Sequence, residues 1–394
     1  MKVLFVTPSL GPVFGGPTKA VLELVQALVR TGTTVDIVTT TANGCDDLDV
    51  PTQTWIETDC YRAIYFPRWK WKDYTMSWSL TQWLFQHVRN YDLVHVHSVF
   101  SYPVLPAHWA CQRDRVPTIR TPHGMLEPWA LSYKAWKKRY YYQLLEAPLL
   151  QRACAIHALA EPEATNIQSL NLRSPVTVIP NGIHREEFET LPDAELFFER
   201  FPTARDRTVI LFLGRIDPKK GLDILAPAFA RARQRCENAY LVVAGPDNTG
   251  FMPQARQFFL DADCLDAIAF TGMLTGELKL AALAAADLYV APYYSEGFSM
   301  SVLEGMASRL PCVITTGCNF PQAARAEAAC VVEPDVEAFT AALLQCLDDR
   351  ARARAMGDRA REFVFAHYTW NTIAAQMRAL YDQILVNAVT APPG

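Results

Sequence analysis

The 394-residue chain has no run approaching the roughly 18 consecutive apolar residues of a membrane-spanning helix. Its first apolar run, residues 3–6, stops at Thr7-Pro8 and is too short for the apolar core of a secretory leader. Both absences lead us to expect a cytoplasmic protein that meets a membrane, if at all, as a peripheral protein on its inner face. The ten cysteines form no Cys-x-x-Cys pair and the histidines no His-x-x-x-His pair. Neither a zinc module nor a disulfide framework is indicated, and reduced cysteines serving as small core hydrophobes are expected. Internal repeats and low-complexity tracts are lacking, apart from the short tail at residues 390–394. Charged residues are only 20% of the chain, the apolar set is 50%, and the net charge is −4. That mix excludes collagenous and disordered chains and argues against a nucleic-acid partner.

Charge is unevenly spread. Residues 62–139 hold 12 Lys and Arg against 4 Asp and Glu, an excess of +8 that leaves −12 for the remainder. An excess of that size on an acidic chain points to one face that meets anionic material, substrate or lipid; a solvated basic face without a partner is the plainer alternative.

At about 150 residues per domain the length predicts two or three domains, each able to bury its own core. Residues 3–6 read as a strand, and residues 18–30, with Ala20, Val21, Leu24, Val25 and Leu28 at helical spacing, as the helix after it. Further strands are expected at 35–39, 93–96 and 118–120, and their alternation with helices implies a parallel sheet covered on both faces. The pattern restarts with strands at 208–213, 240–244, 268–271 and 288–291. Pro180-Asn181-Gly182 and the acidic stretch that follows break it and set the boundary. The expected fold is α/β, with two doubly wound, Rossmann-like domains at 1–182 and 183–368 and a last helix and tail at 369–394. Two such sheets facing one another would leave a cleft lined by the carboxyl ends of strands.

The chemistry-bearing residues cluster at strand ends. In the segment from Ser295 to Gly305, a strand leads through Glu296 into a helix whose Val302, Leu303 and Met306 face inward. Gly297, Phe298, Ser299, Met300 and Ser301 then form a tight turn with free backbone N–H groups, a site suited to phosphate. Glu296 and Glu304 flank that pocket; carboxylates are poor partners for phosphate and good acceptors for sugar and ribose hydroxyls. Leu213-Gly214-Arg215-Ile216-Asp217-Pro218-Lys219-Lys220-Gly221 offers a guanidinium fork and an ammonium from another strand end, with Lys219 left to solvent.

Gly15 and Gly16, in the first strand-to-helix loop, allow a ligand to approach a helix N-terminus, or serve the turn's conformation alone. Gly11, Gly15 and Gly16 do not have the G-x-G-x-x-G spacing, and Asp36 sits at the start of the second strand, which disfavours a nicotinamide dehydrogenase. Thr121-Pro122-His123-Gly124 follows another strand; His123 is either a satisfied structural histidine or a ligand contact, and Glu127 is a candidate acceptor contact by proximity alone. His95 and His97 alternate on one strand, which suits burial, and no carboxylate or histidine spacing makes a metal site. Gly245 and the group Gly272, Met273 and Leu274 occupy two further strand ends.

The E-x7-E element of Glu296 and Glu304, set between a strand and a helix, resembles the signature of retaining glycosyltransferases of the GT-B fold. The match is to family 4 (group 1 type), of the kind that assembles bacterial exopolysaccharide and lipopolysaccharide. The resemblance covers nearly the whole chain, from the first loop through His123, the linker at 179–183, Arg215 with Lys220 and the Glu296 turn. It extends to a last helix, 370–385, that in this fold crosses back to the N-terminal domain. It implies that Glu296 holds hydroxyls of the donor sugar, Glu304 the ribose, and Arg215 with Lys220 the departing diphosphate. It also implies that His123 approaches the sugar near its C6 hydroxyl, that Gly15 and Gly16 flank the diphosphate, and that Gly245, Gly272, Met273 and Leu274 bracket the base. The implied catalytic set is His123, Arg215, Lys220 and Glu296, with no metal and no cofactor; a UDP- or GDP-linked sugar is the donor substrate. No motif-matched carboxylate is placed as a nucleophile, so the implied mechanism is front-face displacement.

Lys134, Lys137, Lys138 and Tyr141 fall on one helical face, and with Arg139, Trp136 and Tyr140 they read as a docking surface for anionic lipid headgroups. The alternative is an ordinary solvated helix whose aromatics belong to the core. The expected function is hexosyl transfer to a saccharide, lipid-linked acceptor in cell-surface polysaccharide assembly. The alternatives are a soluble GT-B transferase of small-molecule metabolism, of the sucrose or glycoside synthase kind, and a non-catalytic sugar-nucleotide-binding protein.

Overall fold

The computed structural model describes residues 1–71, 74–128, 131 and 135–390, and the chain divides into two compact units, Met1–Gly182 with Trp370–Gly394, and Ile183–Thr369. In the first unit the strands lie in the spatial order Val176–Val178, Ala155–Ala158, Thr118–Thr121, Leu93–His97, Lys2–Ser9, Thr34–Thr40, Arg62–Phe66 and Trp55–Glu57. All neighbours are parallel except the last pair. Val3, Leu4, Phe5 and Val6 are fully buried, as an unbroken apolar run in a sheet covered on both faces must be. The winding reverses at Lys2–Ser9, which has Thr34–Thr40 on one side and Leu93–His97 on the other. The Gly16–Arg30 helix buries Val21, Leu24, Val25 and Leu28, the face read from the sequence. The helix Trp370–Thr390 packs in this unit: Trp370 Nε1 donates to Glu23 at 2.8 Å, and the Tyr381 hydroxyl meets His95 Nδ1 at 2.7 Å.

The second unit carries a wholly parallel sheet in the order Ile268–Gly272, Ala239–Ala244, Thr208–Leu213, Leu288–Ala291, Cys312–Thr315, Cys330–Val332. The strands expected at 208–213 and 288–291 appear at those bounds. They are neighbours, and the strands that follow each in sequence lie on opposite sides of the pair. The switch point, where an open α/β sheet leaves a crevice, therefore falls between Leu213 and Ala291.

Three sequence expectations are corrected. Cys45, Cys60 and Cys154 are exposed, so not every cysteine is a core hydrophobe. The basic excess is not all free charge: Arg62 grips Asp36 (2.6 Å), Arg68 grips Asp47 (2.7 Å), Arg113 pairs with Asp114 (2.7 Å), and Arg120 pairs with Glu146 (2.8 Å) in full burial. Tyr141 does not stand on an outward cationic face, since its hydroxyl meets that of Tyr74 at 2.8 Å. Lys134 lies outside the described residues, as do the side chains of Lys137 and Lys138. Among the described residues this region exposes Trp69, Trp78, Trp136, Tyr140 and Leu144, and with them Arg89, Arg113, Arg115 and Arg139. No described helix is long and apolar enough to cross a membrane.

Candidate active site

The two richest motifs occupy the two sides of the second unit's switch point. From Leu213 the chain passes Arg215 and enters a short 3-10 turn, Pro218–Lys220, capped by Asp217, whose carboxylate accepts from the Lys219 N–H at 3.1 Å. Gly221 then begins the Leu222–Arg235 helix at φ +66°, and a Cβ there would lie 1.9 Å from the Pro292 carbonyl oxygen. Only glycine lets the Lys220 turn close onto the loop that carries Glu296. That loop is tied from both sides: Tyr294 N–H donates to the Lys219 carbonyl at 2.8 Å, and Asn319 Nδ2 to the Glu296 carbonyl at 2.6 Å.

The side chains meet where these two loops join. The buried Lys220 ammonium is bonded to the Glu296 carboxylate and lies 3.6 Å from the centroid of the Tyr293 ring. Burial opposes both charges, but the attraction outweighs it: Lys220 is held above its usual range, and Glu296, facing Lys220, Lys219 and Arg215, is held below its own. Lys219 is not left to solvent as the sequence suggested. It is half-buried, and burial, with the neighbouring Lys220 and Arg215, brings it below its usual value. Arg215 is partly buried and makes no hydrogen bond or ion pair among the described residues. Three cations thus gather around Glu296 and the capping Asp217, with positive charge in excess.

Past Glu296, Ser299 caps the Met300–Ala307 helix by accepting from the Val302 N–H at 3.4 Å. The N–H groups of Met300 and Ser301, in the first turn, have no acceptor within the helix. The Ser301 hydroxyl is 3.2 Å from that of Ser299 and 3.3 Å from that of Tyr293, which itself donates to the Leu213 carbonyl at 2.8 Å. The Phe298 ring is buried among Phe320 and Tyr368, so this residue offers the turn its backbone alone. Glu304, one helical turn further in, is nearly buried and bonded to Lys279 at 2.8 Å. Gly245 donates to the Gly272 carbonyl at 2.9 Å, which fixes those two strand ends together; Met273 beside them is 60% exposed and Leu274 partly so.

In the first unit, the Gly15 and Gly16 loop and the His123 turn follow strands near that unit's own switch point. A Cβ at either glycine would meet nothing within 4 Å, so the space before the helix N-terminus is open. His123 sits at φ +55°, a left-handed conformation that an ordinary residue adopts at a cost of about 1–3 kcal/mol and that must be held by its surroundings. The holder is Glu163, which the sequence reading missed: its carboxylate accepts from Gly124 N–H at 2.7 Å and Leu159 N–H at 2.6 Å. Glu127 does not stand free for an acceptor either; it is buried and accepts from Asn166 at 2.5 Å.

Beneath His123 runs a directed chain of hydrogen bonds. His157 Nε2 meets the Ile179 carbonyl at 2.6 Å, and since a carbonyl only accepts, that nitrogen carries the hydrogen. Its neutral ring must then accept at Nδ1 from the Thr121 hydroxyl, 2.8 Å away. Thr121 in turn accepts from His95 Nε2 at 2.6 Å, and His95 Nδ1 accepts from Tyr381 at 2.7 Å. Burial keeps His95 and His157 neutral, the latter at about 4. No group of three or more metal-ligating side chains occurs among the described residues.

Arg215, Lys219, Lys220, Glu296 and the Ser299 cap are thus one constellation, Glu304 with Lys279 lies along the same helix, and Gly15, Gly16 and His123 belong to the other unit. Chemically, the first of these can take a polyanion and offer a carboxylate beside it. Lys279 carries no local signal in the sequence, because it acts on a residue 25 positions away; Glu163 has a local contact with Leu159, but its hold on the His123 turn spans 39 positions.

Comparison with known proteins identifies the family. Residues 15–182 match the model described as Glycosyl transferase 4-like domain, and residues 207–349 that described as Glycosyl transferases group 1. A GDP-mannose-dependent alpha-(1-6)-phosphatidylinositol monomannoside mannosyltransferase of Mycobacterium tuberculosis is 28% identical over 208 residues, 50% of this chain and 54% of that protein. The chain thus spans about half the length of the first curated relatives it matches. Sucrose-phosphate synthase from Thermosynechococcus elongatus shares the fold with a TM-score of 0.79 at 22% identity, over 98% of this chain and 100% of that one. HepE of Anabaena, solved with UDP-glucose, does so with a TM-score of 0.76 at 18% identity, over 97% and 100%. With a matching domain in each unit and this fold, the chain is a GT-B glycosyltransferase in which a 4-like domain precedes a group 1 domain.

Proposed function

We propose that the chain transfers a hexose, with retention, from a UDP- or GDP-linked sugar to a saccharide acceptor. The observation that carries this reading is the unpaired Arg215 guanidinium beside Lys219 and Lys220, at the N-terminal end of the Met300–Ala307 helix. Excess positive charge with preset N–H donors at a switch point suits a diphosphate. In this reading the incoming diphosphate takes over Lys220 from Glu296, and the released carboxylate accepts from sugar hydroxyls. Glu304, aligned by Lys279, accepts from the ribose. Gly245, Gly272, Met273 and Leu274 border the base, Gly15 and Gly16 the diphosphate, and His123 the sugar. As the glycosidic bond breaks, Arg215, Lys219, Lys220 and the helix N-terminus stabilise the departing charge, a role that needs no metal ion. The leaving phosphate oxygen helps remove the proton of the hydroxyl that attacks from the same face.

For the acceptor we favour a lipid-linked saccharide, used by a peripheral protein at the cytoplasmic face of a membrane in cell-surface polysaccharide assembly. Exposed Trp69, Trp78, Trp136 and Tyr140 beside Arg139 support it, as does a relative named for a phosphatidylinositol mannoside. A second reading, a small soluble acceptor, is favoured by the likeness to sucrose-phosphate synthase. Two assays test these proposals. Sugar transfer from each nucleotide sugar, with the product anomer read by NMR, should show the donor's configuration retained; an inverted product contradicts the mechanism. Flotation with vesicles should recover more protein on anionic than on neutral lipid, and equal recovery favours the soluble acceptor.

A further inference from the structure

His97 and His123 come from neighbouring strand ends. Leu93–His97 and Thr118–Thr121 run parallel with His97 opposite Thr121, so the residue two positions beyond Thr121 arrives next to the His97 ring. His97 Nδ1 and His123 Nε2 are 3.0 Å apart, with the two ring planes 26° from parallel. The His97 ring is fixed on its other sides by Phe5, 4.8 Å away between centroids, and by His95, at 4.2 Å.

We propose that His97 is a positioning residue that sets the tautomer of His123, so that His123 offers an Nδ1–H donor to the substrate. One hydrogen lies between the two nitrogens, and the surroundings select its owner. His97 Nε2 is buried and has no hydrogen-bond partner among the described residues. If the hydrogen sat there, the structure would hold an orphaned buried N–H, the rarer and costlier kind of unmet group. Placed on Nδ1 instead, it has an acceptor in His123 Nε2. A neutral His123 that accepts at Nε2 must carry its own hydrogen on Nδ1. Neutrality is favoured on both sides: burial takes His97 far below its usual range and brings His123 down to about 3. Nδ1 of His123 has no partner among the described residues, which leaves it to a ligand. It then meets a lone pair, on a sugar hydroxyl or a phosphate oxygen, and is not a base at that atom.

This inference rests on the proposed role of His123, and the two are separable by experiment. Ring-nitrogen NMR of the 15N-histidine-labelled full chain, with His123 assigned by its loss in His123→Ala, reads the tautomer directly. The expected result is Nδ1–H in the wild type, lost or mixed in His97→Phe, and restored in His97→Asn, whose amide can donate in place of Nδ1. An Nε2–H tautomer of His123 in the wild type overturns the proposal even if neither His97 variant folds. A His123 spectrum unchanged in a folded His97→Phe overturns it as well. In transfer assays, His97→Phe should lower kcat about tenfold or more with little change in donor KM, and His97→Asn should recover much of it. Equal losses in both variants indicate a merely structural role and contradict the proposal. Unchanged transfer by His123→Ala would remove the functional reading of His123, while the spectra still decide the tautomer.

Discussion

The carboxylate of Glu304 is bonded to the ammonium of Lys279 at 2.8 Å, and both side chains are largely buried. The pair stands along the helix that Ser299 caps, where a ribose acceptor is proposed. Lys279→Ala leaves a buried carboxylate without its cation, and unfolding by denaturant should show a loss of about 1–3 kcal/mol. Glu304→Gln, which retains the shape, should weaken nucleotide sugar binding more than it lowers stability. Equal stability of Lys279→Ala and the wild type would show that the pair does not support this helix.

Glu163 makes stability depend on pH. Burial raises its carboxyl to about 7, against an ordinary 4.5, even though two backbone N–H groups favour the charged form. A carboxyl whose folded value is raised binds its proton more tightly in the folded state. Its stabilisation is therefore complete below about pH 4.5 and is lost as pH rises towards about 7. At 1.36 kcal/mol per pH unit this amounts to about 3 kcal/mol. Measured against Glu163→Gln, which cannot titrate, the wild type should lose ground by this order between pH 4.5 and 8; a constant difference contradicts the assignment.

Tyr381→Phe removes the hydroxyl that donates to His95 at the head of a fully buried chain. One unmet nitrogen should cost about 1–3 kcal/mol. The loss is predicted in thermal and denaturant unfolding alike. No measurable loss would mean that His95 finds another donor and that the chain's direction is not set as argued.

The strands and the charged and small-residue motifs at their ends were legible because each is local. An apolar run such as residues 3–6 or 208–213 declares a buried strand, and the turn after Glu296 declares itself by small residues ahead of an amphipathic helix. What was not legible depends on which distant side chain arrives. Lys219 and Lys220 are adjacent and chemically alike, and only the packing of Tyr293 and Glu296 shows that both turn inward. Phe298 reads as part of a turn, and nothing local tells that Phe320 and Tyr368 take its ring. The excess of +8 was a true count and an incomplete guide to a surface, because Asp36, Asp47 and Glu146, all three outside the counted stretch, pair with arginines inside it. Glu163 and His97 act through backbone and ring nitrogens, for which spacing in sequence offers no signal.

In the proposed function Arg215, with Lys219 and Lys220, receives a nucleoside diphosphate. Thermal unfolding of the wild type and of Arg215→Ala, with UDP and with GDP and in the presence of EDTA, tests it most directly. At 100 times its dissociation constant a ligand stabilises the folded state by about 2.7 kcal/mol, which is readily measured. The expected result is a rise in Tm of the wild type with one diphosphate, undiminished by EDTA and lost or much reduced in Arg215→Ala, together with a fall in transfer of about 10²–10³-fold in that variant. No rise with either diphosphate, or an equal rise in Arg215→Ala, would contradict it.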